Sequence, residues 1–407
     1  MDSFGWVDFS KKDRDLARDI IASLSTPGAL DELGIGVIRD GFADYFFPGT
    51  STVQTIPKYF FLVAYQLEEL SRKPSNNLEQ QLREMERKCS RRMWDSLTPE
   101  EQNSRDAGIF GSTLFKTQDS SSTEWVKRQP SSVYWNGLRK IGFLRFGNEN
   151  QNLSLADYLR FSKQSNQTIV ESDDDSNGSS NRYSNSNRPW HWDRFPEDRG
   201  DWDKFPSPKL TPGEARFLVE HISENPDNSI YNTLFAFLVR NRDVIDWDKM
   251  SFAKLGDKLS GQLKADWKLA NDFSEFIEPA QICFNVLLHN TEAETEWAEF
   301  QKNPKKLKTL AEKVDLDRIF HFSGFSIPGK TQTFLSNLWN VYMVWDEDKL
   351  KKLLTDRERA LKQARAKIGG KDDYHDRWVG GRGFEYRFSD ARRIIKDILI
   401  AEGKCYD

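Results

Sequence analysis

The chain has little cysteine, little histidine and no long apolar run. Cys89, Cys283 and Cys405 are its three cysteines, at unrelated spacings. That excludes a disulfide framework and predicts a reducing, cytoplasmic setting. Its five histidines, at 191, 221, 289, 321 and 375, never fall at i, i+4, and no cysteine pair stands near them. Zinc-ligand spacing is therefore missing, and neither metal nor cofactor is expected. No uninterrupted apolar stretch reaches the roughly 18 residues of a membrane span. Met1-Asp2-Ser3-Phe4-Gly5-Trp6 lacks a basic segment followed by an apolar core, so no secretion signal is expected. A Gly-x-Ser-x-Gly elbow, a Cys/His nucleophile signature and the His-x-Lys pair of phospholipase-D-like nucleases are also missing. No catalytic residue can be named, and the balance leans towards a non-enzyme.

What the chain does have is aromatic residues and charge. Charged residues make up 30% of it and apolar ones only 37%, so the 28 Phe and 13 Trp must supply much of the core. Apolar residues recur at helical spacing and alternating runs are scarce, which predicts a mainly α fold. Ser10 opens a first helix, stopped by Pro27-Gly28. Others are expected near 35–47, from Thr50-Ser51-Thr52 through Leu70 with Pro57 starting or kinking it, over Leu78–Leu97 and over Ser154–Ser162. Thr211-Pro212-Gly213-Glu214 is a capping box with proline at the first helical position. Beyond it, helices are expected at Tyr231–Arg240, Met250–Asp272, Glu278–His289, Glu292–Glu299, Pro304–Lys313, Thr331–Val344 and Asp346–Lys367. The strand-like runs are Phe143–Phe146 and Phe384–Phe388.

Ser172–Asn187 holds six Ser, four Asn and three Asp, too little apolar surface to order itself. Two helical domains result: residues 1–163, a mobile Ser/Asn-rich linker at 164–190, and residues 191–407 with a basic subdomain at 349–404. Just after the linker, Trp192-Asp193-Arg194-Phe195-Pro196 is echoed by Trp202-Asp203-Lys204-Phe205-Pro206. These aromatics would pin an irregular segment onto the following domain, or dock a peptide.

Gly324–Thr331 spells G-x-x-x-x-G-K-T, the phosphate-binding pattern. A working loop needs a buried strand before it, and only Ile319-Phe320-His321-Phe322 is available. Phe325, Ile327 and Pro328 are bulky where phosphate needs backbone. A magnesium carboxylate at Asp346 would follow a run starting ten residues past Thr331, whereas a parallel crossover needs about a dozen or more. The reading is a helix-entry turn, with an NTPase using Gly329-Lys330-Thr331 as the alternative.

Two stretches suggest nucleic acid. From Lys127 to Phe146 the chain reads as a helix opened by Ser131, a glycine turn and a short strand. That pattern is a small winged-helix-like element near 125–146, with Lys127, Arg128, Arg139 and Lys140 placed for phosphates. Its alternative is an amphipathic helix packed by Tyr134, Trp135 and Leu138. The net charge is −4, yet residues 349–404 carry 16 Lys/Arg against 9 Asp/Glu, a surplus of seven that leaves about −11 elsewhere. On one helix Arg359, Lys362 and Lys367 would share a face with Arg365 adjacent, followed by a loop bearing Arg377, Trp378, Arg382, Tyr386 and Arg387.

Several motifs, Phe4–Ser10, Asp31–Gly36, Ile38–Asp40, Phe47–Thr52, Pro130–Trp135 and Arg357–Lys362, resemble an uncharacterised bacterial and archaeal family of about this length. Its members are similar to proteins encoded beside helicases and phospholipase-D-like nucleases in defence islands. The resemblance implies an accessory role in anti-phage defence and supplies no catalytic residues. The expected function is a non-enzymatic nucleic-acid-binding subunit, with duplex DNA and a helicase or nuclease as partners. The expected contacts are Lys127, Arg128, Arg139, Lys140, Arg359, Lys362, Arg365, Lys367, Arg382 and Arg387. A protein scaffold using the Trp192/Trp202 repeat and the Thr50–Phe61 stretch is the alternative.

Overall fold

A computed structural model describes residues 31–72, 77–104, 107–117, 122–146, 153–172 and 190–404. The expected helix at Ser10, most of the Ser/Asn tract and Cys405 lie outside them. The described residues are mainly α-helical. In chain order the first helices are α1 (Gly36–Phe46), α2 (Lys58–Ser71), α3 (Leu78–Asp95), α4 (Pro99–Asn103), α5 (Ser112–Thr117) and α6 (Pro130–Ile141). Strand β1 (Leu144–Phe146), α7 (Leu155–Ser172), β2 (Trp190–Trp192), α8 (Pro212–Val219) and α9 (Leu234–Arg240) come next. The C-terminal helices are α10 (Gly261–Val286), α11 (Thr291–Lys302), α12 (Lys305–Lys313), α13 (Leu316–Phe320), α14 (Gly329–Val344), α15 (Glu347–Lys362) and α16 (Phe388–Ala401).

Local chemistry explains many of these boundaries. Thr211 accepts from the Glu214 amide while Glu214 accepts from the Thr211 amide, so the capping box opens α8 as its sequence predicts. Pro57 starts α2 and does not kink it. Asn77 caps α3 by accepting from the Gln80 amide, a contact typically worth about 1 kcal/mol. Ser131 does not open its helix: α6 begins at Pro130, and the Ser131 amide donates to the Glu86 carboxylate at 2.6 Å.

The chain divides into two compact units, each made of two segments. The first takes the residues up to Phe42 with Gly256–Phe384, the second Ala43–Leu255 with the residues from Glu385 onward. In the second unit α2 is buried almost throughout. Phe60 meets Tyr134 edge-on at 4.8 Å, and Phe61 meets Phe143 at 4.9 Å and Phe217 at 5.6 Å. β1 and β2 pair antiparallel, with Arg145 opposite His191. The repeated aromatics pack on α2 and α7, while Asp193 and Asp198 between them reach His221 and the Gly213 amide. Trp192 lies 5.9 Å from Tyr158, and Phe195 and Trp202 lie 5.0 and 5.6 Å from Tyr65. Helix α7 runs to Ser172, into the stretch expected to be linker.

In the first unit α10 is one helix of 26 residues through Pro279, where two were expected. Phe276, Ile277, Ala280, Ile282 and Phe284 are buried around that proline, and such packing outweighs its cost of about 3 kcal/mol. Phe276 meets Tyr342 of α14 at 5.4 Å. Gly41 admits the Phe325 ring, since a Cβ there would lie 2.3 Å from it. Asn285 bridges to Val379 in both directions, donating to its carbonyl at 2.9 Å and accepting its amide at 2.8 Å.

Two expectations fail at the C-terminal end. Phe384–Phe388 is no strand, because Tyr386 and Arg387 adopt φ of 47° and 66° and turn the chain straight into α16. The basic helix stops at Lys362, where Gln363 takes φ 50°, so Arg365 and Lys367 do not lie on it.

Candidate nucleic-acid interface

Helix α15 is preceded by Asp346, which caps it by accepting from the Lys349 amide and pairs with the Lys349 ammonium at 3.0 Å. The side chain considered as a magnesium ligand is thus an N-cap. Lys351 pairs with Glu347 at 2.9 Å and Lys352 with Asp356 at 3.6 Å, one helical turn away in each case. Further along, Arg357 turns inward. Its guanidinium donates to the Leu33 carbonyl at 2.8 Å, the Lys330 carbonyl at 3.2 Å and the Thr331 hydroxyl at 2.9 Å, and it lies 5.0 Å from the Phe334 ring centre. Burial lowers its pKa.

The same contact involves the phosphate-loop pattern, which lies at a helix entry. Residues 329–331 are the first turn of α14, and the element before them is the short helix α13. Phe325 packs on Phe42 at 5.0 Å and Ile327 is buried, so the bulky loop residues serve the core. The Thr331 hydroxyl donates to the Gly34 carbonyl at 3.2 Å.

Glu32 gathers two of the expected phosphate contacts. Lys362 and Lys367 each donate to its Oε1 at 2.6 Å, and Lys362 is buried. Burial raises the Glu32 carboxyl, but the two lysines outweigh it and hold the group below its ordinary value. The buried Glu358 accepts from the Lys367 and Ile368 amides at 2.8 and 3.0 Å, fixing the chain where the helix has ended. Arg382 lies 4.0 Å from the Trp378 ring centre and forks to Glu292 and Glu296 at 2.5 and 2.6 Å. Its Glu296 hydrogen bond raises its pKa. In the second unit Arg387 bridges Asp44 at 2.5 Å and the Thr50 carbonyl at 2.9 Å.

The positive surplus of 349–404 is therefore largely neutralised inside each unit. Ten of its sixteen cations form ion pairs, many with Glu32, Asp44, Asp243, Asp248, Glu292 and Glu296 from outside the segment. Arg357 and Arg392 reach carbonyl groups. Arg359, Arg365, Lys371 and Arg377 remain exposed without a carboxylate partner among the described residues, Arg377 lying 4.7 Å from the Tyr374 ring centre.

Around α6 the picture is different. Tyr134, Trp135 and Leu138 are buried, and the helix exposes only Ser132, Asn136 and Lys140. Arg139 is half-buried, and burial lowers its pKa. Lys127 and Arg128 are exposed just before the helix.

The sequence reading missed the most buried charge pair of the second unit. Lys58 donates to both oxygens of Glu214 at 2.8 and 2.7 Å, and the Tyr65 hydroxyl adds a third bond at 3.1 Å. A lone lysine inside Ile56-Pro57-Lys58-Tyr59-Phe60-Phe61 was the available signal. Among the described residues no group of His, Cys, Asp or Glu could hold a metal ion, and no helix is long and apolar enough to cross a membrane.

Fold and site together define a mainly helical protein whose C-terminal cations are largely paired within their own unit. The chain belongs to a family of unknown function, DUF6361, whose family model matches residues 1–319. No curated protein and no solved structure matches it.

Proposed function

We propose that the protein is a non-enzymatic, nucleic-acid-binding accessory subunit of a bacterial anti-phage defence system, acting in the cytoplasm on duplex DNA beside a helicase or nuclease subunit. The defence setting rests on the family resemblance of the sequence. The DNA contact rests on one observation: Arg359, Arg365, Lys371 and Arg377 stay exposed and unpaired by carboxylates in a segment that otherwise neutralises its cations. Unpaired exposed cations are what releases counterions from a phosphate backbone. Lys127, Arg128 and Lys140 offer a second set, suited to phosphate and not to base reading because α6 is largely buried. Filter binding of the unmutated protein to a random-sequence duplex across low to moderate salt tests the reading. Affinity that falls steeply with salt supports it; no binding at low salt, or a flat salt response, sinks it.

One observation favours a scaffold as second reading. Phe205 of the second repeat is 81% exposed, whereas its counterpart Phe195 packs on Tyr65. A bare phenylalanine on a turn suits an aromatic anchor for another protein. Pull-down with the products of adjacent genes decides: partners retained unchanged by Phe205→Ser exclude this anchor.

A further inference from the structure

The second unit contains a cavity of about 250 Å³ whose lining is mostly apolar, including Ile56, Leu97, Leu210 and Ile400. Asp397 of α16 stands in that lining and has no hydrogen bond or ion pair among the described residues. Ile400, one turn further along the same helix, is 50% exposed, an unusual degree for a large apolar side chain. The carboxylate is half-buried among aliphatic groups, and among the described residues only Arg393 draws it electrostatically, without an ion pair.

Among the described residues the other charged groups nearby do not pair with it. Glu101 of α4 also lines the cavity, but its carboxylate accepts from the Thr98 amide in a capping box at 2.9 Å. Lys209 lines it too and is exposed to solvent. Arg393, one turn before Asp397, is held by Asp390 at 2.6 Å and the Gln54 carbonyl at 3.1 Å. Tyr134 commits its hydroxyl to the Ile56 carbonyl and the Thr55 amide, both at 2.8 Å.

We infer that this cavity is a binding site for an aliphatic ammonium group, a primary amine whose hydrocarbon body fills the apolar lining while its charged head meets Asp397. The two halves of such a ligand match the two halves of the site. The hydrocarbon replaces water against Ile56, Leu97, Leu210 and Ile400, and the ammonium supplies the donors and positive charge that Asp397 lacks. A neutral alcohol of equal length would satisfy only the first half, and a carboxylate would be repelled. Burial pushes the Asp397 carboxyl up to about 6, against the pull of Arg393. The charged form that holds the ammonium is therefore gained as pH rises through that value.

The probe is n-pentylammonium with the full chain, its binding followed by ligand-observed NMR, with n-pentanol and pentanoate as controls. The ammonium binds more tightly than the alcohol, pentanoate does not bind, and the ammonium is held roughly tenfold less tightly at pH 5 than at pH 8. Asp397→Asn, nearly isosteric, lowers ammonium affinity about tenfold or more while leaving the alcohol unchanged. Ala401→Phe, near the exposed end of α16, fills the cavity and removes both. Circular dichroism confirms that each variant folds. No ammonium binding by the unmutated protein, or equal ammonium binding by Asp397→Asn, overturns the assignment.

Discussion

Two basic regions of this chain look alike in sequence and differ in space. Residues 349–404 hold sixteen cations, and ten of them are bound to carboxylates. The stretch around α6 holds few, and Lys127, Arg128 and Lys140 stay at the surface. Its charged chemistry lies below the surface instead, where Glu86 serves the first turn of α6. Charge density along a sequence therefore says little about charge offered to a ligand. What counts is how many cations remain once distant carboxylates have been assigned.

The comparison breaks most visibly at Lys362. If it were a phosphate contact, Lys362→Glu would cost DNA affinity and little stability. As a buried partner of Glu32, its reversal puts two carboxylates together and destabilises the fold by about 3–5 kcal/mol. Urea denaturation of the variant decides, and an unchanged midpoint would return Lys362 to the surface set.

Glu86 sharpens the other side. Burial pushes its carboxyl up to about 7, although the Ser131 amide and Arg83 pull it down. The folded protein then binds a proton that the unfolded chain has released above its ordinary carboxylate value of about 4.3. Stability from this group is full below that value and is lost as pH rises through about 7, by about 4 kcal/mol in all. Glu86→Gln keeps an acceptor for Ser131 and should flatten that part of the stability curve. Chemical denaturation from pH 4 to pH 8 measures it, and an identical slope in the variant would show that another group titrates.

A smaller effect is expected at Arg382, paired and stacked but largely exposed. Arg382→Ala should cost less than about 1 kcal/mol, because solvent screens exposed pairs. A larger loss in thermal unfolding would mean that the Trp378 stack organises the loop after residue 366.

How much of the fold and site was legible in the sequence depended on the distance between partners. The α8 capping box was legible because both partners sit within four residues. The opening of α6 was not, since the carboxylate serving Ser131 lies 45 residues away. Helix α16 carries Ile394, Ile395, Ile398 and Leu399 at helical spacing, a local pattern that was legible though no helix was expected there. The Glu32 cluster joins positions about 330 apart, beyond any local pattern. Of the ten side chains named for DNA, Arg359, Arg365, Lys127, Arg128 and Lys140 keep the exposed, unpaired state such a role needs.

The smallest structural effect carries the most functional information. Arg359 and Arg365 flank the kink at Gln363, both exposed and without a carboxylate partner among the described residues. Arg359→Gln with Arg365→Gln removes two charges and no packing, so the unfolding midpoint should move by no more than about 0.5 kcal/mol equivalent. On duplex DNA each lost phosphate contact removes about 0.9 from the log–log salt slope, so the pair should flatten it by about 1.8. Lys362→Gln cannot imitate that result, because its charge is already held by Glu32 and its loss appears as instability. A double variant with unchanged stability and unchanged salt slope would leave Lys127, Arg128 and Lys140 as the surviving phosphate set. The same titration on a Lys127→Gln, Arg128→Gln, Lys140→Gln variant would then decide whether either basic region touches DNA.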